Sequence, residues 1–144
     1  MNHPTLVGHV HLKVRDLSRA HNFYTEVLAL GETERHQNYV FLSWGERHHD
    51  VALQEIGPHA AGPGDGVGMF HAAFEVESVE VMQDIYRKLV VREVDVAALD
   101  HGISKALYFD DPDGNGLEVY LDTRAANDQR TWDGYNGRFD PLAL

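Results

Sequence analysis

A ten-residue phrase occurs twice in this chain, so its fold has to accommodate two copies of one unit. Residues 7–16 read Val-Gly-His-Val-His-Leu-Lys-Val-Arg-Asp, and residues 69–78 read Met-Phe-His-Ala-Ala-Phe-Glu-Val-Glu-Ser. A shift of 62 carries His9 onto His71, Val10 onto Ala72, Leu12 onto Phe74 and Val14 onto Val76, and further on Phe23-Tyr24 onto Ile85-Tyr86. A strand-like alternation followed by a helical spacing, repeated once, marks a duplicated supersecondary unit. Duplication tends to set equivalent residues about a pseudo-two-fold axis, so two histidines far apart in the chain can meet.

In the first copy Val10, Leu12 and Val14 alternate with His9, His11 and Lys13, the period of a half-buried strand. Asp16 or Ser18 can cap the helix that follows. Ala20, Phe23, Tyr24, Val27 and Leu28 then form one apolar helical face, and Gly31 stands where a left-handed C-cap is wanted. A weaker strand over 32–36 and strands over 38–44 and 50–56, the last two joined by a polar turn near Gly45-Glu46-Arg47, complete a β-α-β-β-β module over residues 6–56. Residues 57–68, rich in Gly and Pro, read as a linker. The second module, residues 69–122, repeats the order. It has a strand over 69–76, a helix capped by Ser78 with Val81, Met82, Ile85 and Leu89 inward, strands near 92–97 and 104–109, a dense turn at 110–116 and a last strand over 117–121. The tail, residues 123–144, is polar but punctuated by Trp132, Tyr135 and Phe139. These elements define an α+β fold.

At 144 residues and 43% hydrophobic content, the chain can bury a core as one compact domain or two small interlocked modules. The net charge of −11 argues against nucleic acid and anionic membranes, which need a basic footprint. No apolar run approaches the ~18–20 residues of a membrane span. The N-terminus lacks a basic segment followed by an apolar stretch, so a cytoplasmic location is expected. The absence of cysteine removes disulfides, thiolate metal sites and a cysteine nucleophile. Of the ten histidines, His36, His48, His49 and His59 sit in polar, loop-like stretches and read as surface residues.

His9, His71 and Glu118 each stand at the parity opposite to the apolar set of their strand. Two imidazoles and one carboxylate on the same side of a curved sheet make a facial triad with open positions, suited to non-haem Fe(II) or Mn(II). The plainer alternatives are hydrogen-bonded strand histidines and, for Glu118, a surface charge.

The segments Gly8-His9-Val10-His11-Leu12-Lys13-Val14-Arg15-Asp16-Leu17, Phe23-Tyr24-Thr25-Glu26-Val27-Leu28-Ala29-Leu30-Gly31, Phe70-His71-Ala72-Ala73-Phe74-Glu75-Val76 and Asp111-Pro112-Asp113-Gly114-Asn115-Gly116-Leu117-Glu118-Val119-Tyr120 resemble, in order over residues 6–121, the vicinal oxygen chelate superfamily. That superfamily includes glyoxalase I, bleomycin-resistance proteins, fosfomycin-resistance enzymes and extradiol dioxygenases. The resemblance implies a single domain over 1–144, in which two tandem βαβββ modules form a curved mixed sheet around a metal-containing cleft. It puts metal ligands at His9, His71 and Glu118. Glyoxalase I uses a further glutamate on the last strand of the first module. Here Ala52 and Gln54 hold the matching parity and Glu55 the opposite one.

The run from His101 to Phe109 resembles the extradiol stretch that carries a second-sphere histidine and tyrosine, which assigns His101 and Tyr108 to catalysis. The expected activity is ring cleavage of a catechol-type aromatic diol by dioxygen, with Fe(II), or Mn(II) or another divalent metal. The alternatives are a glyoxalase-like isomerase or lyase, a thiol transferase, and a metal-free bleomycin-resistance-like binding protein. A homodimer or higher homo-oligomer is expected, because exposed sheet edges in so small a unit need cover. The tail reads as a packing segment ahead of a lid.

Overall fold

The computed structural model describes residues 1–144 and divides into two compact units. The first comprises Met1–Gly64 together with Pro112–Asn115, and the second Asp65–Asp111 together with Gly116–Leu144.

The first unit runs β1 (Val10–Val14), α1 (Leu17–Leu28), β2 (Gly31–His36), β3 (Tyr39–Ser43) and β4 (Val51–Glu55), with sheet order β1-β4-β3-β2. β1 pairs parallel with β4 while the other neighbours are antiparallel, so the sheet is mixed. Leu12, Val14, Val40, Leu42, Val51 and Leu53 are buried, as are Ala20, Phe23, Tyr24, Val27 and Leu28 of α1. Each large apolar side chain contributes roughly 1.5–3 kcal/mol by leaving water. Asp16 caps α1, its Oδ1 accepting from Arg19 N at 2.8 Å.

The helix ends differently from the sequence expectation. The left-handed residue is Ala29, at φ 55°, while Gly31 already begins β2. The following Leu30 is buried, so the chain turns early to seat it. The indole of Trp44 donates to the Leu28 carbonyl at 2.7 Å, supplying one of the C-terminal acceptors with a partner.

The second unit runs β5 (Ala72–Val76), α2 (Val79–Val91), β6 (Ala97–Asp100), β7 (Ser104–Asp110), β8 (Gly116–Asp122) and β9 (Gly137–Arg138), closing in a 3-10 turn over Pro141–Ala143. Sheet order is β5-β8-β7-β6-β9 with β5 parallel to β8. The chain therefore has the α+β, twice-repeated βαβββ architecture expected from its sequence, with one mixed sheet per unit. Ser78 caps α2, whose inward stripe is Met82, Ile85 and Leu89. Val81 was expected inward but is 38% exposed, one position off a narrow stripe. α2 also continues to Val91, which moves β6 downstream of the expected 92–97.

The turn Pro112–Asn115 packs within the first unit. Asp113, nearly buried, accepts on Oδ1 from Arg15 N at 3.0 Å, Arg15 Nη1 at 3.2 Å and Arg19 Nη2 at 2.8 Å. Arg15 Nε donates to the Ala60 carbonyl at 2.8 Å, so the Gly-Pro segment is held against the same guanidinium.

Ala29 is the place to test the backbone argument. An L-residue in the left-handed region costs about 1–2 kcal/mol, whereas glycine is free of that penalty but loses more chain entropy on folding. Ala29→Gly should therefore stabilise the protein by about 0.5–1 kcal/mol in urea unfolding at unchanged m-value. Destabilisation would show that the Ala29 methyl carries packing the φ argument ignores.

Candidate active site

Alternation along β8 decides the direction of Glu118. Leu117 and Val119 are buried in the core, and Glu118 projects from the other face with its side chain 12% exposed. Glu118 sits opposite Ala73 of β5 and Tyr108 of β7, so all three share that face. His71 lies immediately ahead of β5 at the same parity as Ala73. Its Nε2 stands 2.8 Å from Glu118 Oε2. Its Nδ1 is buried without a hydrogen-bond partner, a feature that calls for an occupant or a function.

Tyr108 extends the line. Burial raises its pKa to about 12, with the charge of Glu118 and a hydrogen bond to it acting the same way. The phenol is therefore neutral throughout the physiological range. Its hydroxyl also lies 2.9 Å from His101 Nε2, and His101 Nδ1 lies 2.6 Å from Asn136 Oδ1. The result is a continuous chain of polar side chains, His71, Glu118, Tyr108, His101 and Asn136, within one unit. His71, His101 and Tyr108 line a groove of about 1300 Å³ together with Phe70, Arg138 and Phe139.

His9 lies in the first unit, one residue ahead of β1. Its ring packs on His49 with centroids 4.4 Å apart, and His49 packs on Phe41 at 5.0 Å. Burial, with His9 and His48 beside it, pushes His49 below the ordinary histidine range. His48 Nδ1 is 2.9 Å from His49 Nδ1, and His48 Nε2 is 2.8 Å from Glu34 Oε2. His49 was read from sequence as a surface histidine, and the structure corrects that. The missed signal is register: Val10 pairs with Val51, so the residue ahead of β1 meets the residues ahead of β4. His11 contacts Tyr39 edge-on at 5.8 Å.

Of the expected ligand set, the structure pairs His71 with Glu118. No group of three His, Asp or Glu side chains converges closely enough to hold a metal ion. The donors suit a divalent cation in kind. An imidazole and a nearly buried carboxylate meet where a cation would replace the proton between them, and an orphaned imidazole nitrogen lies alongside. Glu55 is engaged elsewhere: its Oε2 accepts from Leu17 N at 2.8 Å at the start of α1. Its strand parity, opposite to Ala52 and Gln54, agrees.

The sequence profile of the Glyoxalase/Bleomycin resistance protein/Dioxygenase superfamily matches residues 6–119. This chain belongs to that superfamily. It is 30% identical to biphenyl-2,3-diol 1,2-dioxygenase 3 of Rhodococcus globerulus, over 96% of this chain and 79% of that protein. It is 26% identical to the manganese-dependent 2,3-dihydroxybiphenyl 1,2-dioxygenase of Geobacillus genomosp. 3, over 80% of this chain and 36% of that one. The superfamily member thus spans little more than a third of the latter relative. The glyoxylase/bleomycin resistance protein/dioxygenase domain from Frankia sp. EAN1pec shares its fold, with a TM-score of 0.71 at 24% identity over 85% of this chain and 96% of that one.

The Tyr108 shift has a definite sign. The unfolded chain releases the phenolic proton near pH ~10 and the folded one near 12. The stability from neutral Tyr108 is fully present below about pH 10 and lost as pH climbs towards 12. In the metal-free protein, the difference between wild-type and Tyr108→Phe ultraviolet titrations should show no phenolate below about pH 11. A Tyr108 component titrating with free tyrosine would contradict the burial argument.

Proposed function

We propose that this protein is a metal-dependent extradiol dioxygenase that opens a catechol-type ring with dioxygen. The observation that carries the reading is the line from His71 through Glu118 and Tyr108 to His101, in which a ligand-type pair adjoins a neutral phenol and an imidazole. The names of the two curated relatives support it, since both are dioxygenases of biphenyl diols. His71 and Glu118 would hold Fe(II) or Mn(II), and the superfamily resemblance adds His9 as the third ligand. Such an ion, when bound, supplies positions for both catechol oxygens and for dioxygen and lets electron density pass between them.

The remaining work falls to this chain's own groups. Tyr108 keeps its proton at working pH and presents a hydroxyl to the groove. His101 can take or return a proton at Nε2, a task suited to an imidazole. The apolar lining from Phe70 and Phe139 suits an aromatic ring. The four-ligand glyoxalase alternative loses its acid, because the Glu55 carboxylate is committed to the α1 N-terminus.

The test is anaerobic loading with Fe(II), or in parallel Mn(II), followed by air and a panel of catechols including 2,3-dihydroxybiphenyl. Oxygen uptake with a yellow ring-opened product is expected. His71→Ala and Glu118→Gln should lower it by about 100-fold or more together with bound metal. A fully metallated wild-type protein that consumes no oxygen with any member of the panel would sink the reading.

A further inference from the structure

We infer that Asn136, on the C-terminal tail, is a positioning residue that fixes the tautomer of His101 and leaves the lone pair of its Nε2 facing the Tyr108 hydroxyl. The tail is built around the loop that carries His101. Thr123 Oγ1 and Asn127 Nδ2 both donate to the Gly102 carbonyl, at 2.8 and 2.6 Å. Gly102 N donates to Asp100 Oδ1 at 2.7 Å, and a Cβ at Gly102 would come within 2.5 Å of Gln129 Oε1. Trp132 meets the His101 ring edge-on at 6.3 Å, and its indole is held by donation to the Tyr135 carbonyl at 2.9 Å. The loop is thus fixed from the tail side before Asn136 makes its own contact.

The direction of that contact follows from the Asn136 amide. Its Nδ2 faces the Gly134 carbonyl at 3.5 Å, which leaves Oδ1 towards His101 Nδ1 at 2.6 Å. Turning the amide over would set Oδ1 against the Gly134 carbonyl, two acceptors with no proton between them. An amide oxygen only accepts, so Nδ1 of His101 must carry the hydrogen. The neutral ring then has its lone pair on Nε2, 2.9 Å from the Tyr108 hydroxyl, whose single hydrogen is shared between that lone pair and the Glu118 carboxylate. In the opposite tautomer Nε2–H would donate to Tyr108, and His101 could not take a proton from the groove without first losing one. The catalytic consequence rests on the extradiol reading, whereas the tautomer does not.

The experiment uses the full-length protein with ¹⁵N-labelled histidine, metal-free, at about pH 8.5, above the ordinary histidine range. Long-range ¹H–¹⁵N correlation reads which ring nitrogen is protonated, with His101→Gln identifying the signal. Wild type should show Nδ1–H and a bare Nε2. Asn136→Ala should move His101 to the Nε2–H form or to an average, and Asn136→Asp, which keeps an acceptor, should retain the wild-type pattern. An Nε2–H signal in wild type, or an unchanged tautomer in Asn136→Ala, overturns the proposal. In the Fe(II)-loaded assay with 2,3-dihydroxybiphenyl, Asn136→Ala should lower kcat by about tenfold at unchanged KM and metal content. Asn136→Asp should restore most of it. An inactive wild type would count against the extradiol reading alone, since the spectrum decides the tautomer independently.

Discussion

In each unit the first strand lies parallel to the last strand of its βαβββ repeat, β1 to β4 and β5 to β8, and this pairing sets the positions of the chemically interesting side chains. A β-α-β-β-β module can close its sheet that way only by bringing the residue ahead of the first strand beside the segment that leads into the module's last strand. In the second unit it sets Ala73 opposite Glu118, so His71 arrives at the carboxylate from 47 positions away in the chain. In the first it sets Val10 opposite Val51, so His9 arrives at His49. A slip of one residue in β8 would turn Glu118 into the helix-packed core and Val119 out of it. The hydrophobic cost of that exchange protects the site's geometry as much as any contact within it.

The polar line in the second unit depends on that burial. Tyr108 remains a donor because it is partly withdrawn from water next to a carboxylate, both of which disfavour a phenolate. A neutral donor, a carboxylate and two imidazoles at hydrogen-bond spacing can redistribute one proton without changing the total charge of the line. Away from water such networks strengthen, and each member becomes costlier to leave unpartnered. The orphaned Nδ1 of His71 is the place where that cost is visible.

What the sequence made legible was whatever parity or spacing controls. Alternation identified Glu118 as facing away from the apolar set of its strand and placed Glu55 on the opposite side of its own from Ala52 and Gln54, because a pleated strand leaves no freedom there. Helical spacing and cap chemistry located Asp16 and Ser78. The misses have a common cause. Ala29 takes a strained conformation because Leu30 must be seated, His49 joins His9 because of strand register, and Asn136 reaches His101 through a loop folded back across the sheet edge. Each depends on contacts between distant segments that no local pattern encodes. Val81 shows the limit of periodicity itself, since a stripe one residue too wide still reads as amphipathic.

The turn at Pro112–Asn115 has a consequence for how such a chain can be divided or rearranged. By sequence it is the tip of a hairpin in the second repeat, yet its aspartate seats among Arg15 and Arg19 of the first. A fragment stopping at Gly64 would present those two guanidiniums with no carboxylate between them, and the helix they flank would lose its anchor. The present halves therefore cannot be parted cleanly along the boundary that their repeated sequence suggests.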